Sequence, residues 1–512
     1  MAGFPEGQCL MSTKTLRMDA ATLLDIVLDE DSFESWDQPP RQPRLSAQYA
    51  ADLEAAAAKS GTDEAVITGK GRIHGREVAV IVSEFNFLAG SIGQAAAHRI
   101  VAAIQRATAE KLPLLAGPAS GGTRMQEGTL AFLGMVSITD AVRRHKEAGL
   151  PYLVYLRHPT TGGVMASWGS LGHITVAEPG ALLGFLGPRV YEALYDQKFP
   201  NGVQISENLF RKGLIDAVVP PQELPSLVNR ALSILQPVSA GGGFPAPAGR
   251  PFVREAKNVW ESVQLSRNPR RPDTRMLLAS ADEALPLNGT GQGEKDPGLM
   301  LALARFGDQP CVVLGQQRPR HPETASLGPA SLREARRGMQ LAQELKLPLV
   351  TIIDTTGAEL SVQSEEGGLA GEIARSLSEL IGLRSPSVSV LLGQGTGGAA
   401  LALLPADRTL AAENSWLSPL PPEGASAIIH RTTEHAAQMA RQQKIGVPDL
   451  CSFGLVDHVV EEQIDAASRP REFCQELGAA IAAEISLARA IPDAHRLARR
   501  QLKFQSLGEA TD

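Results

Sequence analysis

An internal repeat constrains the fold of this 512-residue chain more than any other feature of its sequence. The segment KLPLL begins at Lys111 and the similar segment KLPLV begins at Lys346, which sets an offset of 235 residues. The same offset carries Gly122 onto Gly357, and it carries the glycines of TTGGV onto those of GTGGA. Separate landmarks that keep one register predict a duplicated domain.

Strands and helices alternate in each copy of the repeat. EVAVIVSEF and PCVVLGQQ read as strands, and a glycine turn and a helix rich in Ala, Arg and Gln follow each of them. Strands alternating with helices at this spacing favour parallel, right-handed βαβ units with both faces of the sheet covered. The sequence therefore predicts two α/β domains, at residues 1–235 and 252–512, joined by a Pro/Gly-rich linker at residues 236–251.

Composition argues against several classes of function. The net charge of −7 gives no basic surface, so we expect no nucleic-acid partner. No uncharged apolar run is long enough to span a bilayer, and no signal peptide is recognisable, so we expect no membrane partner. The four cysteines are widely scattered without a CxxC pair, which predicts no bound metal and a reducing cytoplasmic location.

Both glycine sites of each copy fall where a strand gives way to a loop or helix. Gly121 and Gly122 follow one strand of the first copy, and Gly162 and Gly163 follow the next. Glycine permits positive φ and lets a substrate atom approach the backbone closely. Two such turns on adjacent strands would aim two N–H groups at one oxygen, as in an oxyanion hole. A purely structural role in tight turns is the alternative, and the repetition of the sites in register weighs against it.

The chain resembles a known family over nearly its whole length. The first copy is similar to the β-type subunit of acyl-CoA carboxylase carboxyltransferases in SGGTRMQEG, GLPYLVYLRHPTTGGVMASWGSLG and AEPGALLGFLGPRVYE. The second is similar to the α-type subunit in IDTTGAELSVQSEEGGLAGEIARSLSEL, GQGTGGAALALLPAD and PPEGASAI. The resemblance implies two tandem crotonase-like domains of the ClpP/crotonase superfamily, each a β-β-α superhelix. It also implies transfer of carboxylate from N1-carboxybiotin to the α-carbon of an acyl-CoA, such as acetyl-CoA to malonyl-CoA in fatty acid biosynthesis.

When the functional residues of the family are assigned to the matching motifs of this sequence, the resemblance implies two oxyanion holes. In the first copy, the acyl thioester oxygen would be held as it becomes an enolate by four glycines: Gly121, Gly122, Gly162 and Gly163. In the second copy, the ureido oxygen of biotin would be held by Gly398 and Ala399, with three residues beside them: Gly357, Ala358 and Gly397. This chemistry needs no protein base, in agreement with the absence of a Ser/His/Asp or Cys/His constellation from the sequence.

Four further residues are candidates for contact with the acyl-CoA substrate. Arg124 could position CoA, although a structural ion pair is the favoured interpretation. Arg189 could meet a CoA phosphate or cap its own helix. Ala400 and Leu401 follow the second glycine site, and we expect these apolar residues to line the pocket beside the α-carbon. Such a pocket suits acetyl or propionyl groups and leaves longer acyl groups open.

The sequence also predicts partners. It contains no MKM biotin-attachment motif and no ATP-grasp glycine loop, so carboxybiotin would arrive on a separate biotin carboxylase and biotin carboxyl carrier protein subunit. The resemblance implies a homodimer or a larger ring oligomer. One departure from the α-type motif is Gln394, where that motif more commonly has glutamate.

Two alternative functions remain open from the sequence. A biotin-independent decarboxylase of malonyl thioesters would form the same enolate in the first hole, but the intact GQGTGGAA argues against it. A non-catalytic scaffold paralogue in a carboxylase complex is the other alternative. The glycines retained at both sites argue against a scaffold, because alanine would serve a structural role as well.

Overall fold

The computed structural model describes residues 17–41, 46–235, 258–318 and 327–507, apart from the side chains of residues 188–190. The chain divides into two compact units, Met1–Leu232 and Ser233–Asp512. The predicted linker at residues 236–251 lies outside the described residues, so the domain limits that rest on it stay predictions. Among the described residues, none of the helices combines the length and the apolarity that crossing a bilayer requires.

The first unit is built on a seven-stranded sheet. The described residues of this unit form nine strands, which are β1 (Glu34–Ser35), β2 (Val66–Ile73), β3 (Arg76–Ser83), β4 (Leu114–Gly117), β5 (Tyr152–Leu156), β6 (Thr160–Thr161), β7 (Ile174–Ala177), β8 (Leu183–Gly184) and β9 (Ala217–Val218). The sheet has the order β1-β2-β3-β4-β5-β7-β9, whereas β6 and β8 form a small parallel pair. β1, β2 and β3 are antiparallel neighbours, and every pair from β3 to β9 is parallel.

Helices pack around this sheet and complete the core of the first unit. They are α1 (Ala20–Val27), α2 (Ala47–Ser60), α3 (Gln94–Ala109), α4 (Gly128–Glu147), α5 (Gly162–Met165), α6 (Pro188–Tyr195), α7 (Ser206–Arg211) and α8 (Leu224–Leu235). Four 3-10 turns lie at Leu88–Gly90, Met125–Glu127, Trp168–Ser170 and Pro221–Glu223. Every residue of β4 and β5 is buried, as expected for parallel strands covered on both faces.

The second unit repeats this architecture on an eight-stranded sheet. Its strands are β10 (Glu283–Pro286), β11 (Leu299–Phe306), β12 (Gln309–Gln316), β13 (Leu349–Thr355), β14 (Ser387–Thr396), β15 (Arg408–Ala412), β16 (Trp416–Ser418) and β17 (His458–Val460). The order is β10-β11-β12-β13-β14-β15-β17, and β16 pairs with the end of β14. The first two pairings are antiparallel and the others are parallel.

Eleven helices accompany the sheet among the described residues of the second unit. They are α9 (Val259–Ser266), α10 (Thr274–Ser280), α11 (Pro329–Glu344), α12 (Val362–Glu366), α13 (Leu369–Ile381), α14 (Gly397–Leu401), α15 (Pro422–His430), α16 (Ala436–Gln442), α17 (Val447–Ser452), α18 (Pro470–Arg489) and α19 (Asp493–Gln505). The core lies between the sheet and α10 and α18, where Phe306, Val390 and Ile481 are buried together.

The offset of 235 residues that the sequence predicts recurs in the structure. It carries the first residue of α3, Gln94, onto the first residue of α11, Pro329, and α5 onto α14. An isolated bridge joins Ile92 to Thr123 in the first unit, and the corresponding bridge joins Leu327 to Ala358 in the second. The backbone repeats as well, since Gly122 and Gly357 have φ of 109° and 132°. The predicted duplication is therefore confirmed at the level of single residues.

Candidate active site

The two glycine turns of the first unit are in contact. One turn follows β4, and the other follows β5 and the short strand β6. Because β4 and β5 are parallel neighbours in the sheet, their carboxyl ends lie at the same edge. A Cβ built on Gly122 would lie 3.4 Å from the backbone nitrogen of Gly163, and one built on Gly162 would lie 3.4 Å from the Cα of Gly122. Gly122 and Gly162 both have positive φ, at 109° and 61°. The positive φ therefore favours glycine at these two positions, where a Cβ would be in van der Waals contact with the other turn.

Three of the four glycine N–H groups in these turns already have acceptors. Gly121 donates to the carbonyl of Ala89 at 2.9 Å, and Gly162 donates to the carbonyl of Phe185 at 3.0 Å. Gly122 donates to the Ser120 hydroxyl at 3.0 Å. Gly163 is the second residue of α5, where no intrahelical acceptor exists, and we find none for its N–H among the described residues. Gly163 therefore offers the open donor of this group.

Thr123 is a functional candidate that sequence reasoning missed. Its bridge to Ile92 uses the carbonyl of Gly122 and the N–H of Arg124, which leaves the N–H of Thr123 without an acceptor among the described residues. The Thr123 hydroxyl also lies 3.1 Å from the Cβ position of Gly163. The repeat in the sequence could have indicated Thr123. The offset of 235 residues places Thr123 at the position of Ala358, which is a predicted site residue of the second copy.

The second unit presents corresponding donors at its own turns. Gly398 and Ala399 are the second and third residues of α14, and we find no acceptor for either N–H in the described part of the chain. The Ala399 carbonyl accepts from the Gln316 side chain at 2.7 Å, and the carboxamide oxygen of Gln316 accepts from the N–H of Asp354 at 3.1 Å. The Gln316 side chain thus connects α14 to β13.

The second glycine site is more open than the first at Gly357, the counterpart of Gly122. A Cβ on Gly357 would meet nothing within 4 Å, whereas the equivalent atom on Gly122 would touch the neighbouring turn. Thr396, immediately before Gly397, is buried, and its hydroxyl lacks a hydrogen-bond partner among the described residues. The open space at Gly357 and the N–H of Gly398, which lacks an acceptor among the described residues, suit a ligand that carries a hydrogen-bond acceptor.

Arg124 is part of the scaffold of the first site, which corrects the expectation of CoA contact. Its guanidinium is completely buried; it pairs with Glu64 and donates to the carbonyl of Ser91 at 2.8 Å. Burial disfavours the charge, but the hydrogen bonds with Glu64 outweigh it and raise the pKa of Arg124 above its ordinary value. Because a buried charge needs its partner, Arg124 is not available to a CoA phosphate in this arrangement.

The remaining predicted residues differ in accessibility. Arg189 lies in the first turn of α6, and its side chain lies outside the described residues. Ala400 is completely buried within α14, whereas Leu401 is 46% exposed at the end of the same helix. Of this pair, Leu401 is therefore the residue that an approaching acyl group could touch. No group of three His, Cys, Asp or Glu side chains suited to a metal ion occurs in the described ranges.

Comparison with known sequences finds close relatives over nearly the full length. A family model described as the carboxyl transferase domain matches residues 20–498. A probable biotin-dependent acyl-coenzyme A carboxylase beta3 subunit from Mycobacterium tuberculosis is 56% identical over 497 residues, covering 97% of this chain and 100% of the relative. The acetyl-coenzyme A carboxylase carboxyl transferase subunits beta/alpha of Salinispora arenicola are 35% identical over 522 residues, covering 96% and 91%.

Comparison with solved structures shows the same fold. A transcarboxylase 12S structure with hydrolysed methylmalonyl-coenzyme A superposes with a TM-score of 0.70 at 21% identity, covering 91% of this chain and 90% of the other. A single-chain, multi-domain long-chain acyl-CoA carboxylase gives a TM-score of 0.66 at 17% identity, covering 88% and 45%. The expected fold of tandem crotonase-like domains is thereby confirmed.

Proposed function

This chain belongs to the carboxyl transferase family, and from that membership and its two glycine sites we propose the reaction that it catalyses. It moves a carboxyl group from carboxybiotin to the α-carbon of an acyl-CoA, either acetyl-CoA, which gives malonyl-CoA, or a close homologue. The observation that carries the proposal is the pair of open backbone donors at the contact between Gly122 and Gly163. Donors preorganised where charge develops are the main electrostatic means of lowering such a barrier.

In the first site, the substrate oxygen is the thioester carbonyl of the acyl-CoA. The N–H groups of Thr123 and Gly163 would donate to this oxygen as removal of the α-proton places negative charge on it. Backbone N–H donors are held by the fold, so no side-chain rotamer has to be ordered when the substrate binds. Their glycine neighbours let the thioester approach closely. Arg124 and Glu64 act indirectly, because they fix the loop that carries Thr123.

In the second site, the donors would face the biotin ureido group. When bound, carboxybiotin supplies the carboxyl group that is transferred. The N–H group of the partly exposed Gly398 would stabilise negative charge on the ureido oxygen, with Gly357, Ala358 and Gly397 shaping the space around it. The predicted second donor, Ala399, is completely buried in this structure. We propose that Leu401 borders the acyl pocket from the end of α14, with Ala400 packed behind it.

We propose that the chain works as a homodimer or a larger ring, supplied by a biotin carboxylase and carrier subunit in the cytoplasm. The support comes from α4, which carries Met135 beside Gly163 and exposes large apolar side chains next to it. Leu130, Leu133 and Val136 are 62%, 51% and 66% exposed. Apolar side chains exposed together beside a site indicate an interface, and the occupant that fits the family is a second copy of this chain.

The reverse reaction tests the proposed function. The purified chain should decarboxylate malonyl-CoA or methylmalonyl-CoA only when biotin or the biotin-carrying partner is supplied. Rapid decarboxylation with avidin present and no biotin would instead identify a biotin-independent decarboxylase. A folded protein with no turnover of any acyl-CoA in the presence of biotin and the partner would identify a scaffold.

The forward reaction identifies the acyl group. A panel of acyl-CoAs is incubated with the chain, biotin carboxylase, carrier, ATP and labelled bicarbonate, and label in each product is measured. Acetyl-CoA or propionyl-CoA should be the best acceptor. Preference for a long-chain acyl-CoA would contradict the proposed substrate and leave the reaction class intact.

A further inference from the structure

Arg267 joins three elements of the second unit that lie far apart in the sequence. It caps the C-terminal end of α9, and its guanidinium binds both carboxylate oxygens of Glu423, at 2.6 and 3.0 Å. Its Nε donates to the carboxamide oxygen of Gln394 at 3.4 Å. The hydrogen bonds from Arg267 also lower the pKa of Glu423, so the carboxylate is charged. A two-pronged contact of this kind fixes direction as well as distance.

The two partners of Arg267 flank the second glycine site. Gln394 lies in β14 three residues before Gly397, and Glu423 lies in the first turn of α15. Between them, β16 pairs with the end of β14, so that Thr396 lies opposite Ser418. The carbonyl of Pro419 then lies 3.4 Å from the Cβ position of Gly397. The segment 416–423 therefore forms a wall beside the turn that carries the proposed biotin donors.

The start of this wall is held independently of Arg267. Trp416 is completely buried, and its indole N–H donates to the Ser266 hydroxyl at 2.9 Å. Ser418 donates to the carbonyl of Leu420 at 2.6 Å, which is a contact within the wall itself. The other end is tied to α9 by the Arg267–Glu423 pair. Two consecutive residues at the end of α9, Ser266 and Arg267, thus hold the two ends of the wall.

We propose that Arg267 is a positioning residue for the biotin half of the reaction, an inference that rests on the proposed function. By holding Glu423 beside Gln394, it fixes the position of the wall at Gly397. The wall in turn limits the space in which the ureido group meets Gly398. The uncharged Gln394 is part of this arrangement, because a carboxylate there would compete with Glu423 for the guanidinium. The pair is about one third exposed, and such pairs contribute little to global stability, so its effect is on position.

The test is the biotin-dependent decarboxylation of malonyl-CoA, with free biotin as the acceptor and each substrate varied in turn. Arg267→Gln and Arg267→Lys should raise the KM for biotin about tenfold or more, because small misplacements of a site are costly and lysine lacks the planar fork. The KM for malonyl-CoA should stay within about twofold of the wild-type value, since the thioester donors lie in the first unit.

Two further variants separate positioning from a general loss of structure. Arg469→Gln removes a similar two-pronged pair, with Glu476 at 2.8 and 3.0 Å, from α18, and it should leave both KM values unchanged. Exchanging the charges in Arg267→Glu with Glu423→Arg should recover part of the lost biotin affinity. Amide hydrogen exchange at Leu417, Ser418, Leu420 and Glu423, the non-proline residues of this segment, should quicken in Arg267→Gln and stay unchanged in Arg469→Gln.

The outcomes distinguish this inference from the proposed function. If the wild-type chain shows no biotin-dependent turnover, both fail. If the wild type is active and Arg267→Gln keeps a normal KM for biotin, the positioning role alone is wrong. Equal rises in the two KM values would also overturn it. Should Arg267→Gln fail to fold, Arg267→Lys and the charge exchange decide the same question.

Discussion

The Cβ position of Gly122 lies 3.4 Å from the backbone nitrogen of Gly163. This single distance connects the two glycine turns of the first unit, which are separated by forty residues of sequence but follow neighbouring strands. A methyl group at residue 122 would lie against the N–H of Gly163, which has no acceptor among the described residues. Because Gly122 has no side chain, the backbone N–H of Gly163 stays open to a ligand.

The first prediction follows from this contact. Gly122→Ala should reduce biotin-dependent decarboxylation of malonyl-CoA about 10²- to 10³-fold, the usual effect of losing one oxyanion donor. The loss should appear mainly in kcat, because the N–H stabilises charge that develops during the reaction. Steady-state kinetics with the purified variant checks both statements.

A matched control accounts for backbone strain in that variant. Gly122 has φ of 109°, so alanine there is strained whatever space surrounds it. Gly61, at the end of α2, has φ of 72°, and a Cβ on it would meet nothing within 4 Å. The Gly61→Ala variant should therefore be less stable than the wild type but should decarboxylate malonyl-CoA at the wild-type rate. If Gly122→Ala keeps near-normal kcat, the first oxyanion hole is wrongly placed.

The second prediction concerns the other site. A Cβ on Gly398 would lie 2.9 Å from the Cδ1 of Ile373 in α13, so that either the end of the Ile373 side chain or the start of α14 must shift. Gly398→Ala should displace the start of α14 and lower biotin-dependent turnover, with little effect on binding of the acyl-CoA. Adding Ile373→Val removes the clashing carbon atom and should restore most of the activity. Equal losses in the single and double variants would show that the clash is not the cause.

Much of this arrangement could be predicted from the sequence, because it depends on backbone geometry that repeats. The offset between Lys111 and Lys346 predicts the duplication, and the glycines mark where the strands end. Two parallel strands that end in such turns must bring them to one edge of the sheet, so the approach of Gly122 to Gly163 follows from topology.

The choice of donors could not be predicted from glycine content alone. Gly121, Gly122 and Gly162 make the turn possible, but their own N–H groups have acceptors within the loop. Two N–H groups stay open among the described residues, that of Gly163 and that of Thr123. The N–H of Thr123 is open because the bridge with Ile92 uses the peptide groups on either side of it. Hydrogen bonds between residues far apart in the sequence decide which N–H group stays free. The residue type at the donor position does not indicate these bonds.

Arg124 illustrates the same limit and gives the third prediction. Its partner Glu64 lies sixty residues earlier, and the arginine and the carboxylate are both completely buried. Arg124→Met leaves the buried Glu64 carboxylate without its charge partner, with a hydrogen bond from the N–H of Ala65 remaining. Breaking a buried ion pair from one side typically costs about 3–5 kcal/mol of unfolding free energy. Urea denaturation should show this loss, and Arg124→Met with Glu64→Leu should recover most of it. If Arg124→Met is as stable as the wild type, the buried pair has no structural role.

The last prediction concerns Glu334 in α11, which is 3% exposed. Burial raises its pKa from the ordinary 4.5 to about 7, although it accepts from the N–H of Gly289 at 3.1 Å and Arg337 lies nearby. Between these two values the folded chain holds a proton that the unfolded chain has released. Stability should therefore fall as the pH rises from about 4.5 to about 7 and then level off.

Glu334→Gln keeps an oxygen acceptor for Gly289 and cannot ionise, so it should remove this part of the pH dependence. At pH 8 the variant should be more stable than the wild type, by up to about 3 kcal/mol for a pKa difference of this size. Melting temperatures at pH 5 and pH 8 check the prediction, with the exposed Glu472→Gln as the control that keeps the wild-type profile. A Glu334→Gln protein that loses stability between pH 5 and pH 8 as steeply as the wild type would show that Glu334 is charged in the folded chain across that range.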